Sequence, residues 1–363
     1  VNFSSSETAL LNRIQSDFPL LAEPFAHLAA ELNQSAQDLL STIERLKRLE
    51  IIRTISAIFN TESLGYQTSL IAFEVPEQHI EKAAQVINEH PGVSHNYLRN
   101  HHFNIWFTLA VDAKSSLKET VSVLKELSGA ADYLILRNEK FFKIGMMLDV
   151  GGGKSHAPGN YSARRNTNKA PRRTLSREER ESVRMLLEDL PLVPRPFQAL
   201  VEQQETFLTE QQLIELGQTL KTEGIMRRYA AVIRHYKAGF TSNAMTVWKP
   251  KADADINSVT TPFIQESTVT HLYLRTVYPG KWEYPLFAMI HAKTDESLHS
   301  KVRQLALQSN VDDYQVLTTL REFKKQRVAY FSSAFEIWNQ KISRSGFTDR
   351  NENNPKQEKE THD

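Results

Sequence analysis

The sequence predicts an α+β protein built as a tandem duplication, each copy a winged helix-turn-helix followed by a ferredoxin-like βαββαβ domain. Three observations carry that reading: two segments recur in the same order in both halves, a glycine-led basic stretch separates the halves, and within each half helical periodicity gives way to short alternating elements. Ile52-Arg53-Thr54-Ile55-Ser56-Ala57-Ile58-Phe59, ending at Gly65-Tyr66, lies without gaps on Met226-Arg227-Arg228-Tyr229-Ala230-Ala231-Val232-Ile233, ending at Gly239-Phe240. Val93-Ser94-His95-Asn96-Tyr97-Leu98-Arg99 lies in the same way on Val269-Thr270-His271-Leu272-Tyr273-Leu274-Arg275.

Each element follows from its pattern. Leu10, Leu11, Ile14 and Phe18, then Phe25, Leu28, Ala29 and Leu32, then Leu39, Leu40, Ile43, Leu46 and Leu49 recur at helical spacing, which gives three short helices over one buried face. Ser35 stands as N-cap of the third, and the β-branched run from Ile51 to Phe59 supplies the following strand or wing. A strand at Thr68 to Val75, a helix at His79 to His90, strands at Val93 to Arg99 and Asn104 to Val111, a helix at Leu117 to Leu127 and a strand at Tyr133 to Lys143 complete βαββαβ. The second copy repeats the order, with helices from Arg177, Pro196 and Thr209, then strands and helices between Asn243 and Val328. The boundaries are therefore 1–62 and 63–150 for the first copy, 151–173 for a flexible basic linker, 174–236 and 237–331 for the second copy, and 332–363 for a polar tail. Gly151-Gly152-Gly153 opens the linker, which holds Lys154, Arg164, Arg165, Lys169, Arg172 and Arg173 without an acidic residue and reads as a tether.

Composition narrows the chemistry. Across 363 residues, 44 Lys and Arg face 43 Asp and Glu, so the formal charge of +1 supplies no bulk attraction to nucleic acid. With 40% hydrophobic and 24% charged residues, the chain has enough apolar mass for several cores. The absence of cysteine removes thiolate nucleophiles, cysteine-held iron–sulfur clusters and zinc sites, and disulfides. No stretch has the apolar length of a membrane span or the core of a signal peptide, so a cytoplasmic location and no membrane partner are expected.

A winged helix followed by a ferredoxin-like domain resembles the Lrp/AsnC transcription regulators, and a DNA-binding regulator is the first reading to weigh. Its third helices would have to carry phosphate contacts. In the first copy Asp38 and Glu44 offset much of Arg45, Lys47 and Arg48; in the second, Glu210, Glu215 and Glu223 outweigh Lys221, a balance that repels a duplex. The unusual residues gather elsewhere, in Tyr97-Leu98-Arg99-Asn100-His101-His102-Phe103-Asn104-Ile105-Trp106-Phe107, in Arg234-His235-Tyr236-Lys237-Ala238-Gly239-Phe240, and from Tyr273-Leu274-Arg275 through Trp282 and Tyr284. Rings that stack, guanidinium forks that grip carboxylates and imidazoles that move protons together suit a flat, aromatic polyanion. No phosphate-cradling glycine loop or nucleophile elbow accompanies them. His95 and His271 occupy equivalent places in the copies, which favours a shared structural hydrogen bond over catalysis.

At these residues the sequence resembles the siroheme decarboxylases, Lrp/AsnC-like enzymes of heme d1 and alternative heme biosynthesis. The run Leu98-Arg99-Asn100-His101 with Asn104 and Trp106-Phe107, and Arg234-His235 with Lys237-Ala238-Gly239-Phe240, carry the likeness across both copies. The second copy departs from the pattern at Thr276 and at Pro285. The resemblance implies a fused form of a two-subunit enzyme that removes the C12 and C18 acetate carboxylates of siroheme as carbon dioxide, with no redox change, no added cofactor and no metal of the protein's own. It assigns His101 and His235 as catalytic residues, one of them a potential axial contact to the substrate iron. Arg99, Asn104, Trp106, Arg228, Arg234, Lys237, Arg275 and Trp282 are expected to bind substrate, and the two copies to pair within the chain, with a homo-oligomer open. A DNA-binding regulator and a non-enzymatic heme or siroheme carrier are the alternatives.

Overall fold

The computed structural model describes residues 3–144, 173–233 and 242–344. Three helices open the first copy: α1 (Ser5–Ser16), α2 (Pro24–Glu31) and α3 (Ala36–Arg48). The second copy answers with α6 (Arg177–Leu187), α7 (Pro196–Glu202) and α8 (Glu210–Thr222). The duplication extends to the helix ends. Ser4 and Ser176 close capping boxes with Glu7 and Glu179, Pro24 and Pro196 take the first position of the second helices, and Ser35 and Thr209 cap the third. After these helices come β1 (Ile52–Phe59) and β7 (Met226–Ile233), which pair with each other antiparallel as a ribbon joining the two helical modules. The two strands share one burial pattern, so the apolar positions that matched in sequence also match in space.

The first sheet domain comprises β2 (Gln67–Glu74), α4 (Ile80–Glu89), β3 (Val93–Arg99), β4 (Ile105–Val111), α5 (Leu117–Ser128) and β5 (Asp132–Leu136), and continues into β6 (Asn138–Ile144). The second comprises β8 (Ser242–Trp248), α9 (Ile256–Gln265), β9 (Val269–Arg275), β10 (Leu286–Ala292), α10 (Asp295–Ser309) and β11 (Tyr314–Lys325). One expectation is corrected here. The strand expected at Tyr133 to Lys143 breaks at Arg137, where β5 stays on β2 while β6 crosses to the second copy and pairs with β9. The long β11 repeats the exchange, its first half on β8 and its second half on β3. Each copy thus supplies an edge strand to the other, which covers backbone that would otherwise be unpaired. The strand order runs β5-β2-β4-β3-β11-β8-β10-β9-β6.

Helices cover the outer faces of this assembly over two apolar layers. Between the sheets lies a third layer drawn from both copies, including Phe103, Trp106 and Leu134 of the first and Val247, Trp282, Phe287 and Leu317 of the second. Gly92 permits the tightest approach in the first copy, since a Cβ there would lie 1.8 Å from the Ala110 carbonyl oxygen.

A second correction concerns the segment expected as a polar tail. Within it, α11 (Ala334–Arg344) folds back onto the first copy. Phe335, Trp338 and Ile342 form a buried stripe at helical spacing, Trp338 packs edge-on against His90, and Lys341 pairs with Glu89 at 2.6 Å. The surrounding charges hid three apolar residues on one face. Burial, with Lys324 nearby, pushes the His90 imidazole down to about 3.

Residues 151–172 of the expected linker lie outside the described residues. Because the copies already exchange strands at both seams and share the β1·β7 ribbon, a protease cut between Gly153 and Arg172 should leave two halves that co-elute on size exclusion. Separate elution of the halves without denaturant would show that covalent linkage, rather than pairing, holds them together. No helix among the described residues is long and apolar enough to cross a membrane.

Candidate functional site

The loop 100–104 between β3 and β4 is fixed by its neighbours before it offers anything to a ligand. Arg99 is 5% exposed, its Nη1 donating to the Leu317 carbonyl at 2.7 Å and to Thr319 Oγ1 at 3.2 Å, both on the second copy. Asn100 accepts from the Thr318 N–H at 2.7 Å. Asn104 spends its amide on both backbone groups of Val75, at 3.0 and 2.8 Å, which makes it a clamp on the end of β2. His101 is therefore presented by a loop pinned from both copies.

The second copy reproduces this clamp with different residues. Arg275, 9% exposed, donates from Nη1 to the Leu136 carbonyl at 2.8 Å, and its own N–H meets the Pro285 carbonyl at 2.8 Å as that of Arg99 meets Asn104. Thr276 does through its hydroxyl what Asn100 does through its amide, accepting from Arg137 N–H at 3.0 Å. Both sequence departures are thus accommodated: a hydroxyl replaces an amide oxygen as acceptor, and at Pro285 the clamp uses only the carbonyl. His95 and His271 likewise hold equivalent contacts, to Ser94 at 3.0 Å and to Thr270 at 2.9 Å, as the structural reading of the pair requires.

The loops differ beyond the clamp, and the difference builds the site. Loop 276–285 is longer than loop 100–104 and turns at Gly280, whose φ of 74° suits glycine, so that Tyr278 and Trp282 bridge each other. Its tip lies on the first copy. Trp282 stands edge-on to His101 at 5.5 Å and to Trp106 at 5.3 Å. Lys281 bonds Asp132 Oδ1 at 2.7 Å and the Tyr133 carbonyl at 3.0 Å, over the Phe103 ring, while the Tyr278 hydroxyl engages Ile135. Sequence reasoning missed Lys281, Tyr278 and Asp132. The extra length of the second loop was the available signal. Trp106 and Trp282 are themselves closed to solvent, each indole N–H donating to a carbonyl, of Phe103 and Tyr284, so Trp282 braces His101 from behind and Trp106 backs Trp282.

His101 is partly exposed beside the exposed His102. Its Nδ1 accepts from the Phe103 N–H at 3.0 Å, which leaves Nε2 to carry the proton of the neutral ring. Burial, and then the neighbouring His102, hold its pKa down at about 4. Arg275 reaches the same aromatic block, its Cζ 4.8 Å from the Tyr273 centroid and 5.4 Å from that of Phe287, which in turn stacks on Trp282 at 5.9 Å. Burial pulls both Arg99 and Arg275 down to about 10, partly offset by Tyr97 and Tyr273. Neither has a carboxylate partner among the described residues, and the Nε of each is buried without an acceptor. Buried guanidiniums are ordinarily paired with an anion, whereas these two are held by carbonyls of the opposite copy.

Arg228 stands apart on the ribbon, where its Nη1 donates to the Gln15 carbonyl at 3.3 Å. Arg234, His235 and Lys237 lie outside the described residues. No group of three or more metal-ligating side chains occurs among the described residues. The third helices offer little to DNA, because Arg45 pairs with Glu7, Lys47 with Asp189 at 2.8 Å and Lys221 with Asp17 at 2.6 Å.

Comparison with known proteins agrees with this architecture. A family model described as an AsnC-like ligand binding domain matches residues 63–143 and 237–324, and one described as a siroheme decarboxylase NirDL-like HTH domain matches 7–53 and 179–227. A siroheme decarboxylase of Hydrogenobacter thermophilus is 39% identical over 330 residues, covering 91% of this chain and 96% of that protein. The crystal structure of the siroheme decarboxylase NirDL superposes with a TM-score of 0.75 at 35% identity, over 94% of this chain and 99% of that one. A second structure of NirDL, in co-complex with an iron-uroporphyrin III analogue, gives 0.74 at 34% identity over the same shares.

Proposed function

Because the chain belongs to the siroheme decarboxylase family, we propose that it removes the C12 and C18 acetate carboxylates of siroheme, giving 12,18-didecarboxysiroheme and two molecules of carbon dioxide, as a non-oxidative carbon–carbon lyase. The observation that carries the reading is the pair of buried guanidiniums without counter-ions, Arg99 and Arg275, beside an aromatic block and a partly exposed imidazole contributed jointly by the two copies. Siroheme presents carboxylates on every pyrrole, and such a ligand supplies the missing negative charge.

The chemistry is balanced without an oxidant. The carbon–carbon bond to the carboxylate breaks, carbon dioxide leaves, the electron pair remains on the methylene attached to the macrocycle, and one proton converts it to methyl. In this reading Arg99 and Arg275 anchor carboxylates that do not react. His101 delivers the proton from Nε2, while Trp282, backed by Trp106, holds its ring in place. The neutral imidazole of the free protein suits this role, because an approaching carboxylate favours the cation and raises its pKa. His235 is the second proton donor, a carboxylate anchor or an axial ligand of the substrate iron. Iron enters as part of the substrate, and the reaction needs no cofactor of the protein's own.

The test is direct. Anaerobic incubation with siroheme should yield, by mass spectrometry, a tetrapyrrole lacking two carboxyl carbons. Spectral binding of siroheme with no mass loss would make the protein a carrier. Sequence-selective, salt-resistant DNA binding without a change in the siroheme spectrum would make it a regulator.

A further inference from the structure

A cleft of 1190 Å³ opens between the second helical module and the first copy's sheet domain, and none of the residues discussed above as substrate contacts lines it. Four of its cations have no ion pair among the described residues: Lys114, the α6 residues Arg177 and Arg180, and the exposed Arg137 at the break between β5 and β6. Spaced three residues apart, Arg177 and Arg180 project from one face of α6. Each lies over an aromatic ring that also lines the cleft, Arg177 4.7 Å from the Phe207 centroid and Arg180 5.7 Å from that of Phe331. Phe207 is 49% exposed, so the ring under Arg177 also offers open surface to the cleft.

Guanidiniums without an ion pair and open aromatic surface are the elements that recognise a flat aromatic polycarboxylate. Volume agrees, since ligand pockets for molecules of drug size run from about 300 to 1,000 Å³ and a tetrapyrrole is larger than most. Acidic side chains, Glu205 and Glu336 among them, share the lining, so the cleft is not a general anion trap and its cations act locally. Through Arg137, whose backbone is bonded to Thr276, the cleft also abuts the Arg275 end of the inter-sheet block.

We propose that this cleft is a second tetrapyrrole site, distinct from the one at His101, that takes an anionic tetrapyrrole through Arg137, Arg177 and Arg180. The inference rests on the decarboxylase reading for the identity of its ligand, but its test does not require turnover. Uroporphyrin III, an octacarboxylate without iron, serves as the probe, and stoichiometry is read by fluorescence titration of the full chain. The wild type should bind two equivalents, Arg177→Glu/Arg180→Glu one, and His101→Ala two. Phe207→Ala, which leaves the helix charge intact, should weaken one of the two sites by about tenfold, the range of a single lost cation–π and stacking contact. One equivalent in the wild type, two undiminished equivalents in the double variant, or loss of both together would overturn the proposal. Failure of the decarboxylase reading registers separately, as binding of siroheme without product.

Discussion

His101→Ala will lower the rate of tetrapyrrole decarboxylation by roughly 10²-fold or more, the range of general acid catalysis, while tetrapyrrole binding is largely retained. The donor role and the fixed ring make the effect this large. His101 is a positioned proton donor in this reading, and its ring is held on three sides, by the Phe103 N–H, Trp282 and His102. In the free protein the pKa lies at about 4, below the ordinary 6.5, so the folded state holds fewer protons than the unfolded state between these values. The neutral ring therefore contributes stability that is present above pH 6.5 and is lost as pH falls toward 4. Substrate reverses the preference, since a carboxylate at Nε2 raises the pKa, and binding near neutral pH then draws in a proton. Calorimetry in buffers of different ionisation enthalpy should record that uptake in the wild type and a smaller one in His101→Gln, which keeps an acceptor for Phe103. Near-wild-type turnover in both variants would remove His101 from the mechanism.

Much of this arrangement was legible in the chain because it was written twice. The repeated segments at β1 and β7 and at β3 and β9 exposed the duplication, and matched burial patterns show that the repeats mark equivalent positions. Helical periodicity and the Ser35 cap located the three helices of the first winged module because these depend on local rules, and the repeat carried the order to the second. The exchange of β6 and β11 was not legible. A strand's partner is chosen by geometry many residues away, and nothing in Asn138–Ile144 distinguishes an edge on its own copy from an edge on the other. For the same reason Trp282 could be picked as an unusual residue but not placed against His101, and Trp106 was expected among the substrate contacts although the inter-sheet layer covers it. Asn104 shows the opposite limit: its identity was informative, yet its amide serves the backbone of Val75.

Arg275→Met will weaken tetrapyrrole binding by about ten- to a hundredfold, equivalent to the roughly 1.5–3 kcal/mol of a hydrogen bond to a charged group, without a matching loss of stability. Arg275 is nine-tenths buried, has no carboxylate beside it among the described residues, and leaves Nε without an acceptor. Taking a cation out of water costs several kcal/mol, and only the Leu136 carbonyl and the Tyr273 and Phe287 rings offset that cost. Methionine fills similar space without charge, so relief of desolvation opposes the loss of the carbonyl bond, and the unfolding midpoint of the free protein should stay level or rise. Arg275→Lys keeps the charge but not the planar fork and should fall between wild type and methionine in affinity. The same substitutions at Arg99, its equivalent across the duplication, should behave alike if each guanidinium holds one carboxylate. A large drop in midpoint with unchanged affinity in Arg275→Met would instead make the side chain a strut between the copies, and the anion site would then have to lie elsewhere.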